Sequence, residues 1–425
     1  MSATPTHQGT TSLVRRDAPY RRLLTGTTTS AAGTGVGAVA LPVLAVSVFA
    51  APPQLIGVLE AAVWAPWLLI GLPAGAWVDR WSGRRLAMIA DAGSAALFAA
   101  VPLLAALGAL RLWQLIVLAF AAGVTAVISQ AAVAVLPPAL VADADLESAN
   151  AGLQGAESAT DVLSPAVSSA LTHLLGIISA FTANAISFAV SVFCLWSLSP
   201  APKPCPPAST SAASPSIFRD VTDGLRLLFG HHTLRRLSFT SAAINATLTG
   251  VGTLQALLLI NTVGVRPALV GVLLVGEGVG GVLGAMIASP VARQLGTTRA
   301  LAVVPAITFP FGFLTALTYP GAGLALFVVG TSVPTLGVVC SSILMRSLRQ
   351  RSAPRSILGR VSSGSQVVGT SAAPIAALVS GAAAGALGAR PTIAGFWLIA
   401  VTAAALLVLN PIRNGDQTPP SQPSR

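Results

Sequence analysis

Apolar runs of about twenty residues or more follow one another along the chain with short polar breaks between them. A helix needs about 20 such residues to cross the hydrocarbon of a bilayer. In the first half the runs fall at roughly 23–48, 53–78, 86–108, 112–136, 146–174 and 177–198. In the second half they fall at roughly 235–262, 267–292, 299–318, 322–347, 361–387 and 391–410. The pattern predicts an all-α membrane protein with twelve transmembrane helices. Prolines inside the runs, among them Pro42, Pro66, Pro73, Pro102, Pro165 and Pro374, fit this reading because neighbouring helices can satisfy the carbonyls they free.

The polar breaks carry a second pattern. With twelve spans, alternate connections fall on opposite sides, and only Arg111, Arg266 and Arg390 of the 24 basic residues lie on one of them. The other side collects the rest, including Arg15, Arg16, Arg21, Arg22, Arg80, Arg84 and Arg85. Cytoplasmic loops hold the excess of cations, so that face is the cytoplasm and both termini are on it. A missed span would scramble the segregation.

Residues 199–216 form a proline, serine and alanine tract without helical period, which predicts a flexible linker. Ile217, Val221, Leu225 and Leu228 then recur on one face with Arg219, Asp220, Asp223 and Arg226 elsewhere. That predicts an amphipathic helix on the inner membrane surface. The expected organisation is a cytoplasmic leader at 1–22, a six-helix bundle at 23–198, a linker at 199–234, a second bundle at 235–410 and a tail at 411–425. A shift of 213 positions lays Gly71 on Gly284, Val78 on Val291, Arg80 on Arg293 and Gly83 on Gly296, so the second half partly repeats the first.

Composition narrows the choice of function. Of the 425 residues 54% are hydrophobic and 9% charged, with a mean hydropathy of +0.78, and a soluble core cannot hold that much apolar surface. The net charge of +11 sits in singles and pairs without aromatic interleaving, which speaks against a nucleic-acid partner. Cys194, Cys205 and Cys340 are far apart and His231-His232 is a pair in an interfacial segment, so neither a disulfide framework nor a metal site is expected. Lys203 is the single lysine and lies in the linker, so there is no phosphate-cradling loop and no cofactor is expected. The run after Arg22 is too long for a signal peptide and reads as a retained first span.

One break is unlike the others. Between the second and third runs the chain reads Gly71-Leu72-Pro73-Ala74-Gly75-Ala76-Trp77-Val78-Asp79-Arg80-Trp81-Ser82-Gly83-Arg84-Arg85, with Asp91 shortly after. Gly75, Asp79, Arg80 and the Arg84-Arg85 pair resemble the signature loop of the major facilitator superfamily, although Ser82 and Gly83 depart from its common form. The resemblance implies two pseudo-symmetric six-helix bundles that rock about a central site. It also implies that Asp79 docks near the start of the eleventh helix as a gate, with Gly75 permitting close approach and a loop arginine pairing with Asp91. Without the family, Asp79 is an anion at a helix C-terminus that needs the neighbouring arginines as compensation.

Five acidic positions lie within the spans. Besides Asp91, Glu157 and Asp161 share a face one turn apart in the fifth span, Glu277 lies in the eighth and Glu60 toward the outer end of the second. Carboxylates at that depth are functional candidates by default. One that takes up and releases a proton near neutral pH makes the protein proton-coupled; facing a wet vestibule is the bland alternative. Asp143, Asp145 and Glu147 read as an N-cap and acidic first turn before the fifth span.

In the family the first, fourth, seventh and tenth helices line the central cavity. On that resemblance Thr27, Ser30 and Thr34, Gln130, Asn245 and Thr249, and Ser332 and Thr335 are candidate lining residues. Small hydroxyl residues equally promote helix packing. Leu163-Ser164-Pro165-Ala166-Val167-Ser168-Ser169 resembles the Gly-Pro-x-x-Gly-Gly element of the superfamily's antiporters with serine for each glycine. That tilts the choice toward export. The Arg21-Arg22-Leu23 entry, the signature loop, the Asn150 to Pro165 segment and the second-half layout through Arg299 resemble the drug and siderophore exporters, which implies proton-driven efflux of a small apolar or amphipathic molecule by a monomer in the cell membrane. Three alternatives stay open. One is a nutrient importer on the same fold, one a multi-span lipid-modifying enzyme, for which no loop supplies a nucleophile with a base, and one a sensor that has lost transport.

Overall fold

The computed structural model describes residues 13–14, 16–142, 145–198, 232–352 and 358–410. The predicted linker and amphipathic helix, Asp143 and the C-terminal tail lie outside them. Twelve long helices follow in chain order: α1 Ala18–Ser47, α2 Pro53–Arg80, α3 Gly83–Ala106, α4 Leu112–Ala134, α5 Leu146–Leu175, α6 Ile178–Trp196, α7 His232–Leu257, α8 Pro267–Leu295, α9 Thr297–Thr308, α10 Leu324–Ser352, α11 Leu358–Leu387 and α12 Ala389–Leu409. Each answers to one predicted run, and α9 reaches the length of its run only with the turns that continue it to Ala316. Among the described residues ten are long and apolar enough to cross a membrane. The exceptions are α5, which carries Glu157 and Asp161, and α11, whose described apolar part is Ser371–Leu387.

The turns have local causes. Ser82 caps α3 by accepting the Arg85 N–H at 3.4 Å, and at the start of α4 the Gln114 side chain accepts the Arg111 N–H at 2.7 Å. Gly176 between α5 and α6 and Gly388 between α11 and α12 take φ of 83° and 92°, values that a side chain would strain. Two departures from straight helix were not legible in the runs. α7 loosens into a π turn over Leu258–Thr262, and α9 tightens into a 3-10 turn over Phe309–Gly312 before a last turn Phe313–Ala316.

Chain contacts divide the molecule into two compact units, Met1–Leu44 with Ala65–Ser211, and Ala45–Trp64 with Ala212–Arg425. In the first, Leu23, Leu86, Ala87, Ala132, Leu136, Leu195 and Leu198 are buried together, joining α1, α3, α4 and α6. Tyr20 is fully buried and donates its hydroxyl to Ala149 O at 2.9 Å, tying α1 to α5.

In the second unit, glycines let helices touch. A side chain at Gly280 or Gly284 of α8 would meet the backbone carbonyls of Ser332 and Leu336 on α10. A Cβ on Gly57, in the half of α2 that belongs to this unit, would lie 2.6 Å from Ala377 O and 2.9 Å from Gly381 Cα of α11. Lipid offers little hydrophobic force between helices, so such close packing holds them instead.

The internal repeat is sharper in three dimensions than in sequence. Ser168 on α5 donates to Val36 O on α1 at 3.0 Å, and Ser380 on α11 donates to Gly250 O on α7 at 2.6 Å. Gly37 faces Asn184 of α6, and Gly250, 213 positions on, faces Phe396 of α12. The first, fifth and sixth helices therefore pack as the seventh, eleventh and twelfth do.

Candidate functional site

The signature segment ends α2 and starts α3, with only Trp81 and Ser82 between them. Gly75, Asp79 and Arg80 fall in the last turns of α2, and their side chains lie outside the described residues. Arg84 turns toward α6, its Nε donating to Leu195 O at 2.7 Å and its Nη2 to Trp196 O at 2.6 Å. Arg85 is exposed. A guanidinium at the last carbonyls of a helix satisfies acceptors that have no partner within that helix and opposes the negative end of its dipole.

Asp91 has a different partner from the loop arginine that the resemblance implied. It is 1% exposed, and its two oxygens accept from Ser129 Oγ of α4 at 2.7 Å and Ser191 Oγ of α6 at 2.6 Å. Asp91 lies eight residues into α3, about 12 Å along its axis. The described arginines of this turn stay at the α6 terminus or the surface. Ser129 and Ser191 were missed because a single serine in an apolar run carries no signal of its own. Their relevance needs the angle at which three helices meet.

The other acids divide between the units. In the first, Glu157 and Asp161 are both exposed on α5, and Gln154 Nε2 donates to Glu157 Oε2 at 3.2 Å. In the second, Glu60 accepts from Trp64 Nε1 at 3.0 Å, one turn along α2. Glu277 of α8 accepts a short hydrogen bond from Gln255 Nε2 of α7, three residues before the π turn. Gln255 was also missed. A carboxamide inside an apolar run is the signal that could have found it, because burying one unpaired is costly. Asp145 occupies the N-cap position of α5 as expected, yet its carboxylate makes no cap bond. It pairs instead with Arg16 at 2.7 Å.

Most of the candidate lining residues turn their polar atoms inward to their own helices. Thr27 donates to Leu23 O at 3.0 Å, Ser30 to Thr27 O at 3.1 Å, Thr34 to Ser30 O at 2.9 Å and Asn245 to Ser241 O at 2.9 Å. Ser332 donates to Val328 O at 2.6 Å and also packs against Gly276 of α8. Thr249 and Thr335 are half-buried, and Gln130 is exposed on α4. Among the described residues no three histidine, cysteine or acidic side chains gather as a metal set.

Apolar helices of membrane-spanning length and a repeated packing scheme define a polytopic membrane protein. The chain belongs to the Major Facilitator Superfamily, whose profile matches residues 23–377, and it is accordingly a transporter of the alternating-access kind with that superfamily's fold. The nucleoside transporter NupG is 11% identical, with a TM-score of 0.75 over 92% of this chain and 98% of that one. A bacterial homologue of the human lysosomal transporter Spinster, inward-facing and occupied, is 14% identical, with a TM-score of 0.73 over 95% and 99%. A bacterial homologue of the iron transporter ferroportin, inward-facing, is 18% identical, with a TM-score of 0.66 over 91% and 98%. These likenesses show the fold. No curated protein matches the chain.

Proposed function

We propose that the protein exports a small apolar or amphipathic molecule across the cell membrane in exchange for protons, with both termini in the cytoplasm. The observation that carries this reading is the character of the ionisable groups at bilayer depth. Among the described residues Asp91 is held by two serines, Glu60 by an indole, and Glu157 and Glu277 by carboxamides. None of these partners is a cation. A carboxylate in lipid surroundings is stabilised by a proton or by a positively charged visitor, and exchange between the two couples them.

Glu277 with Gln255 is the favoured coupling position, since a π turn beside the pair lets the outer end of α7 move without breaking the helix below. Export rather than import draws on the resemblance of Leu163 to Ser169 to the antiporter element. In that stretch Ser164 lies against Gly35 and Ser168 bonds Val36 O, so α5 and α1 are closely joined.

The test is uptake into inverted membrane vesicles that hold a proton gradient and are given an amphipathic fluorescent dye. The wild type should concentrate the dye while dissipating the gradient, and Asp79→Asn and Glu277→Gln should each abolish both signals. Dye movement that continues after full collapse of the gradient would remove the coupling.

A further inference from the structure

Two guanidiniums converge on the last turn of α6 from different helices. Arg22 of α1 places Nη1 2.6 Å from Ser197 O, and Arg84 of α3 holds the carbonyls of Leu195 and Trp196 immediately before it. Among the described residues they use three of ten N–H donors between them, and each acceptor is a neutral carbonyl. The ion pair seen among the described residues is Arg16–Asp145, elsewhere in the unit. Two cations side by side repel, and the half-charge of one helix terminus offsets only part of that. Arg21 and Arg85 add two more exposed cations on the same helices. Trp196, whose carbonyl Arg84 holds, is 64% exposed and Trp81, three residues before Arg84, is 59% exposed, and tryptophan favours the level of lipid headgroups.

The second unit makes a thinner version of this arrangement. There Arg236 reaches the end of α12, donating to Leu406 O and Asn410 O, and Thr297 and Thr298 stand where the 213-residue shift would put Arg84 and Arg85.

We propose that the inner end of the first unit is a binding site for the phosphodiester of an anionic membrane lipid. The spare donors of Arg22 and Arg84 form its floor, Arg21 and Arg85 its rim, and Trp81 and Trp196 rest against the glycerol and upper acyl chain. Guanidinium presents paired donors that match phosphate oxygens. The cationic side of the chain also faces the leaflet where anionic lipid is enriched. The proposal does not depend on what is transported, because its readout is binding.

The experiment is reconstitution of the full chain in nanodiscs of mixed phosphatidylglycerol and phosphatidylcholine, with the lipids retained through detergent extraction counted by native mass spectrometry. Phosphatidylglycerol should be retained in preference. Arg22→Gln and Arg84→Gln should each weaken that preference about fivefold. Arg299→Gln, an exposed arginine of the second unit, should leave it unchanged. Arg22→Lys, which keeps the charge, guards against loss of fold and should retain part of the preference. Equal retention of the two lipids by the wild type would overturn the proposal. So would displacement of the bound lipid by millimolar inorganic phosphate, which would make the site one for a free anion.

Discussion

Gln255 and Glu277 meet across α7 and α8, the carboxamide donating to the carboxylate just before α7 loosens into its π turn. If this pair carries the proton, Glu277→Gln should lower gradient-driven efflux at least about tenfold while leaving the fold intact, since the two side chains are nearly isosteric. Gln255→Leu removes the side chain that orients the carboxyl and should lower the same efflux, which stopped-flow dye transport would read.

Asp91 joins three helices through two serines. Asp91→Ala should destabilise the protein by about 1–3 kcal/mol, because Ser129 and Ser191 lose their acceptor inside the unit. Asp91→Asn keeps one oxygen and should cost less. Thermal melting in detergent should rank the two in that order; equal melting of wild type and Asp91→Ala would show that the serines find other acceptors.

Adjacent glycines on α8 should respond differently to the same change. Gly280→Ala drives a methyl into the Ser332 backbone, while at Gly281 the nearest atom is a Val339 methyl at 3.6 Å, an ordinary contact. The first should cost about 1–3 kcal/mol and the second close to nothing. Comparative melting and expression of the pair check this without reference to transport.

Topology is open to direct labelling. In a background without the native cysteines, Ala109→Cys after α3 should react with an impermeant maleimide from outside intact cells. Leu295→Cys at the end of α8 should react only in inverted vesicles. Both positions are exposed, and the reverse result would reject the orientation read from the arginines.

The order of the spans and the side on which cations collect were legible in the sequence because the bilayer imposes them one helix at a time. About 20 apolar residues cross, and arginines stay below, whatever the neighbours do. The repeat was legible in outline for a similar reason, since helix lengths and turn positions recur even where residues do not. Gly176 and Gly388 end corresponding helices with the same backbone twist.

The partners at bilayer depth could not be read that way. Asp91 looked like the mate of a loop arginine, and only the crossing of α3, α4 and α6 gave it Ser129 and Ser191. Gln255 became a candidate only once α7 lay beside α8. Most faces of a membrane helix are apolar, so hydropathy fixes its depth but not its rotation. Side-chain partners are set by rotation, which close packing at residues such as Gly280 and Gly284 decides.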